Sequence, residues 1–152
     1  MKIGLGADPA GLELQEFLGK RIVALGHELL DLGAYEYDAV DDYPDFAERV
    51  AKAVVDGTVD RGVLVCGSGI GASIAANKVV GVRAGVCTEP YSAHQGVEHD
   101  DVNVLVVGSR VIGIEVANEI LASFLKAEFS GEERHVRRLN KVLMIEKNSL
   151  GS

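Results

Sequence analysis

A chain of 152 residues, 47% hydrophobic and 25% charged, is long enough to bury a core and too ordinary in composition for a disordered or disulfide-stapled protein. Its formal charge of −8 argues against a nucleic-acid partner, which calls for a basic face, and apolar runs such as 104–107 are too short to span a bilayer. The opening MKIGLGAD is strand-like and lacks a signal peptide's layout, so a cytoplasmic protein is expected.

KIGLGA (2–7) predicts a first strand, and GLELQEFLGKRIVALG (11–26) a helix with Leu14, Phe17, Leu18, Ile22 and Leu25 on one face. HELLDLG (27–33) reads as a second strand. A polar stretch with Tyr37, Asp38, Asp41 and Asp42 follows, then a helix entered at Pro44 and stopped near Gly57. GVLVC (62–66) is the third strand, with a helix over 70–79, and VRAGVC (82–87) is the fourth. PYSAHQGVEHD (90–100) reads as a short helix or a loop with helical turns. NVLVVG (103–108) is the fifth strand, 113–129 a helix, and the basic segment 134–147 a final helix reaching past the core.

Strand–helix alternation of this kind predicts one domain over 1–152, with a five-stranded parallel sheet covered on both faces. Ligands bind such open sheets beyond the carboxyl ends of the strands, at the point where strand order reverses. Three strand ends qualify: GADPAG (6–11), VCGSGIGA (65–72) and VCTEPY (86–91).

The segment Gly67-Ser68-Gly69-Ile70-Gly71-Ala72 satisfies the G-x-G-x-x-A pattern of dinucleotide sites, and Glu89 ends the next strand about 20 residues on. Against a nucleotide site, the loop follows the third strand rather than the first, and the chain is short for two nucleotide halves plus a substrate domain. A turn that merely needs residues with positive φ is the plainer reading.

Cys66 ends a strand directly before this loop and a helix N-terminus. Backbone N–H groups and the helix dipole there favour negative charge, which would draw a thiol's pKa below its free value of about 8.5. A small core residue is the alternative, and from these residues both remain open; Cys87 reads as core. The N–H groups from Gly67 to Gly71 form a cradle for a phosphate or an enediolate oxygen, with the Ser68 hydroxyl beside them. His99, among Glu98, Asp100 and Asp101, is either a solvated loop residue or an acid/base near neutral pH. Arg134, Arg137 and Arg138 beside His135 make either a solvated helix face or a phosphate clamp. The scattered histidines and two cysteines have no zinc-ligand spacing, and no metal is expected.

GADPAG, DYPDFA (42–47), the block 60–87, YSA (91–93), EHDDVNVL (98–105), GSRVIG (108–113) and the RH-x-x-R spacing at 134–138 together resemble the family of type B ribose-5-phosphate isomerases and galactose-6-phosphate isomerases, over nearly the whole chain. The resemblance implies a Rossmann-like three-layer α/β sandwich with an extended C-terminal helix. It also implies a cofactor-free aldose–ketose isomerase and a homodimer, or a tetramer built of two such dimers, with active sites shared between subunits. By the same resemblance Cys66 is the base of a cis-enediol mechanism, and His99 assists ring opening. Asp8, Pro9, Tyr43 and Asp100 lie around the sugar. Gly67, Ser68, Gly69, Ile70 and Gly71 hold the reacting oxygens, and Arg110, Arg134 and Arg138 the phosphate, the last two from the partner subunit. A nucleotide-binding domain and a non-catalytic homologue are the competing readings.

The chain also departs from the family pattern. Pro9 stands where a histidine is usual, Asp100 where an asparagine is usual, and Val97 where a basic residue is common. GEERH is one residue longer than the usual GGRH. All four changes fall around the substrate, so altered substrate preference is expected, with ribose 5-phosphate, a tetrulose phosphate and a hexose phosphate such as allose 6-phosphate as candidates.

Overall fold

A computed structural model describes residues 1–33 and 42–151; Tyr37, Asp38 and Asp41 of the polar stretch lie outside the described residues. Five parallel strands are present: β1 (Lys2–Ala7), β2 (Glu28–Asp31), β3 (Arg61–Cys66), β4 (Ala84–Val86) and β5 (Val104–Gly108). They lie in the order β2-β1-β3-β5-β4. The chain runs leftward from β1 to β2 and rightward from β2 to β3. Right-handed crossovers then force the two connecting helices, α1 (Leu12–Ala24) and α2 (Tyr43–Val55), onto opposite faces. The same rule separates α3 (Ile70–Ala76), which carries the chain outward to β4, from α4 (Pro90–Asp100), which brings it back to β5.

Two buried layers result. Leu14, Leu18 and Ile22 of α1 and Ile120, Leu121 and Phe124 of α5 (Ile114–Lys126) pack on Ile3, Leu5, Val63, Val65, Leu105 and Val107. Ala47, Val50 and Ala51 of α2 and Ala72 and Ala76 of α3 pack on Leu64, Cys66, Val104 and Val106. Alternation along β3 thus sends Val63 and Val65 to one face and Leu64 and Cys66 to the other.

The elements match the expected ones with instructive differences. The fourth strand is three residues long rather than six, because among the described residues it is an edge strand bonded only to β5, through Ala84, Gly85 and Val86. Segment 90–100 is a full helix: Pro90 occupies its first turn, and the Glu89 carboxylate accepts from the Ser92 N–H at 3.0 Å. The third helix stops at Ala76 rather than 79. The first starts at Leu12, after a 3-10 turn at Pro9–Gly11. The last, α6 (Glu133–Leu150), runs past the core and has His135 as its buried residue.

Candidate active site

Strand order reverses between β1 and β3, since β1 connects outward to one side and β3 to the other. Ala7 pairs with Val65 in register, and the Asp8 N–H donates to the Val65 carbonyl at 3.1 Å. Asp8, just past the end of β1, and Cys66, the last residue of β3, therefore become neighbours. Cys66 is 8% exposed. The Asp8 carboxylate and the backbone N–H groups of Gly69 and Ala72 all act on its thiol. Asp8 Oδ1 is buried and has no hydrogen-bond partner among the described residues.

This pairing reverses the expectation of a thiol with a lowered pKa. Burial first, and then the charge of Asp8, push the Cys66 thiol up, and the two N–H donors offset this only in part. The loop geometry is as expected: Gly69 takes φ of 90° and caps α3. The Ser68 hydroxyl accepts from the Ile70 N–H at 3.2 Å. Loop and β5 are clamped together, with Ser109 N–H on the Cys66 carbonyl at 2.8 Å and Arg110 N–H on the Gly67 carbonyl at 3.0 Å. The approach is so close that a Cβ on Gly108 would lie 2.6 Å from the Ser68 carbonyl oxygen. Tyr43, at the start of α2, lays its ring over Gly71, and the aliphatic part of the Arg110 side chain passes Gly67. Pro9 opens the 3-10 turn beside Asp8 and offers no N–H.

His99 is elsewhere. It sits in the last turn of α4, and that helix descends to the amino edge of the sheet: Asn103 N–H, just before β5, bonds the Arg83 carbonyl, just before β4. Cys66 pairs with Gly108 at the opposite end of β5. Four steps of strand, at roughly 3.3 Å each, separate the two edges by about 13 Å.

Around His99 a second cluster forms. The Gln95 side-chain amide reaches Nδ1 of His99 at 2.9 Å. The His135 ring stacks on His99 with centroids 3.9 Å apart and planes at 25°. His135 is itself held at both nitrogens: Arg134 Nε donates to its Nε2 at 3.2 Å, so Nδ1 carries the proton and faces the Ser130 hydroxyl at 2.5 Å. Burial first, then the neighbouring His99 and Arg134, push the His135 pKa down. Arg134 and Arg137 are exposed and pair with Glu132 at 3.1 Å and Glu133 at 3.9 Å; Arg138 has no ion pair among the described residues.

The α4 terminus is pinned by Arg83. Its Nε bonds the Asp101 carbonyl at 2.8 Å and its guanidinium the Asp101 carboxylate at 3.1 Å, while Asp101 holds φ of 51°. Asp100 is exposed beside it. Val97, expected to be one of the changes around the substrate, is instead fully buried in the core against α5, so at that position the expectation is corrected.

The predicted site residues therefore fall into two groups. Asp8, Pro9, Tyr43, Cys66, Gly67–Gly71 and Arg110 gather at the carboxyl edge; His99, Asp100, Arg134, Arg137 and Arg138 gather at the amino edge. Glu89, which a dinucleotide reading would turn to a ribose, is engaged as the cap of α4. Gln95 and the His135 stack are new relative to the sequence reading. Gln95 lies four residues before His99, a spacing that carries a signal only once 90–100 is known to be helical. Among the described residues no group of three His, Cys, Asp or Glu could hold a metal, and no helix is long and apolar enough to cross a membrane.

A family model described as Ribose/Galactose Isomerase matches residues 3–142. The chain is 44% identical over 146 residues to "Ribose-5-phosphate isomerase B" of Escherichia coli, covering 96% of this chain and 97% of that one. It is 40% identical over 134 residues to "D-erythrulose-4-phosphate isomerase" of Pectobacterium atrosepticum, covering 86% of each. The solved structure of Clostridium thermocellum ribose-5-phosphate isomerase B superposes with a TM-score of 0.94 at 46% identity, covering 98% of this chain and 99% of that one. The fold is that of a sugar-phosphate aldose–ketose isomerase, and the chain belongs to the Ribose/Galactose Isomerase family.

Proposed function

We propose that this chain is one cofactor-free domain that interconverts a small aldose phosphate and its ketose by proton transfer through a cis-enediol, with Cys66 as the base. The observation that carries the reading is the unpartnered, buried Asp8 Oδ1 beside a thiol that two backbone N–H groups also approach. A buried carboxylate oxygen without a donor costs free energy that a sugar hydroxyl would recover. That hydroxyl also shields the carboxylate charge from the thiol, which eases loss of the Cys66 proton once substrate is bound.

In the reaction the thiolate takes the proton from C2 and the C1–C2 double bond forms. The charge that develops on O1 is held by the loop N–H groups, with Ser68 beside them. The thiol then returns a proton to C1, the proton of O2 passes to O1, and O2 becomes the carbonyl. No electrons leave the substrate. Tyr43 and Pro9 flank the sugar, and Arg110 contributes to the phosphate.

The other half of the machinery is proposed to come from a second copy. A five-carbon sugar phosphate cannot reach from Cys66 to His99 across the sheet of one chain, so His99, Asp100, Arg134 and Arg138 act on the partner's substrate. The apolar residues that α6 leaves exposed, Val142, Leu143, Met144 and Ile145, and Ile70 and Ile74 on α3, fit burial against another copy of this chain. In each shared site His99 moves the protons of ring opening, and Arg134 and Arg138 hold the phosphate.

Ribose 5-phosphate, as in the Escherichia coli relative, and a tetrulose phosphate, as in the Pectobacterium one, are the leading substrates. Allose 6-phosphate is the hexose candidate. An isomerase assay across four-, five- and six-carbon sugar phosphates, compared by kcat/KM with Cys66→Ala as control, tests the proposal. Saturable low-micromolar NADH binding with no isomerase activity on any of them would replace it with the nucleotide reading. Sugar-phosphate binding without turnover would favour a non-catalytic homologue.

A further inference from the structure

A histidine that moves protons must hold its own proton on a defined nitrogen, and a neutral imidazole in water exchanges between two tautomers. His99 is not left in that condition. The Gln95 amide nitrogen lies 2.9 Å from Nδ1, one helical turn earlier on α4. An amide nitrogen is a donor only, so it bonds the lone pair of Nδ1 and excludes a proton from that atom. The proton of the neutral ring then resides on Nε2, which has no hydrogen-bond partner among the described residues. The His135 face, stacked at 3.9 Å and itself tied to Ser130 and Arg134, fixes the plane in which that N–H points.

We infer that Gln95 is a positioning residue for the isomerase: its amide donates to Nδ1 of His99 and holds the imidazole as the Nε2–H tautomer, the form that can deliver a proton to the ring oxygen of a cyclic sugar phosphate. The tautomer assignment stands on geometry alone, whereas its catalytic meaning rests on the proposed role of His99 in ring opening. Opening then balances on one atom: Nε2–H protonates the ring oxygen as its bond to C1 breaks, and Nε2 takes the O1 proton as the C1 carbonyl forms, so the imidazole ends neutral as it began. A ring with its proton on Nδ1 would present a lone pair at Nε2 and could not make the first transfer.

Long-range 1H–15N spectra of histidine-labelled protein, recorded at about pH 8.5 where an ordinary imidazole is neutral, test this directly. In the native protein His99 should show an unprotonated-type Nδ1 and a protonated-type Nε2. Gln95→Glu supplies an acceptor in place of the donor and should invert the pattern, while Gln95→Leu should give averaged signals. Both variants should lower kcat on ribose 5-phosphate, or on whichever ring-forming aldose phosphate is turned over best, by about tenfold with KM little changed. A protonated Nδ1 in the native protein, or a tautomer unmoved in Gln95→Leu, overturns the inference. An altered tautomer with unaltered kcat, in a protein where His99→Ala does lower kcat, overturns the positioning role. A silent His99→Ala instead sinks the ring-opening reading and leaves the tautomer assignment standing.

Discussion

Asp8 and Cys66 stand side by side although 57 residues of chain separate them, because β1 and β3 are adjacent and in register at the sheet's point of reversal. A base next to a carboxylate is a protonated base until something intervenes. Burial and the Asp8 charge hold the thiol above its usual range. The proposed trigger is the substrate hydroxyl that occupies Asp8.

The first prediction follows from that sign. Asp8→Asn removes the negative charge, so the Cys66 pKa falls and the thiolate fraction near neutral pH rises. Alkylation of Cys66 by iodoacetamide should become several-fold faster, followed by mass spectrometry, while turnover of sugar phosphate declines because a substrate contact is lost. Slower alkylation in Asp8→Asn would show that the carboxylate does not control the thiol.

Cys66→Ala should lower kcat by about 10²–10⁴ and leave substrate binding by calorimetry intact, since a transition-state group is removed and the phosphate contacts remain. Full activity would show that another base performs the transfer.

Shared sites make a complementation test possible. Cys66→Ala and His99→Ala chains, each impaired on ribose 5-phosphate, should regain activity when unfolded and refolded together. A mixed dimer contains one site with both defects and one with neither. A mixture no more active than its parents would place Cys66 and His99 in the service of the same chain's substrate, against the separation of the two sheet edges.

Gly108→Ala should both destabilise and slow the protein. Its Cβ would meet the Ser68 carbonyl oxygen at 2.6 Å, and that atom is backbone, so the loop must move. A cost of about 1–3 kcal/mol in denaturant unfolding and a lower kcat are expected together. A variant of native stability with native kcat would mean that the loop tolerates displacement.

Cys87 predicts an alkaline limit. Burial, and then the charge of Glu89, push its thiol up to about 11, whereas an unfolded thiol titrates near about 8.5. Above that lower value the unfolded chain releases a proton that the folded one keeps. The stability is therefore fully present below about pH 8.5 and is lost as pH rises toward 11, by at most about 1.4 kcal/mol per pH unit from this group. The displaced Cys66 thiol adds in the same direction. Urea midpoints measured across this range should fall less steeply in Cys87→Ala than in the native chain.

How far the sequence could be read depended on how local each signal was. The strands 2–7 and 62–66 and the helix over 43–57 are visible in periodicity and in Pro44 and Gly57, and the structure keeps them nearly unchanged. The sequence overstates the weak fourth strand: VRAGVC has strand composition, but an edge position with one neighbour sustains only Ala84–Val86. Segment 90–100 was ambiguous because its apolar pattern is thin. A cap and a first-turn proline, rather than a hydrophobic stripe, make it a helix.

The sequence by itself determined the family, the doubly wound sheet and the glycine loop that follows Cys66, because each is written in contiguous residues whose spacing carries the information. The tertiary structure alone decided three things. It set the direction of the Cys66 shift, since that sums burial with a charge delivered by another strand. It put His99 at the edge opposite Cys66, since a helix between parallel strands must return to the amino end. It also brought Gln95, His135 and His99 into one cluster, since α6, from a distant part of the chain, packs against α4. Spacing along the chain says which groups exist; packing decides which of them share an electric field.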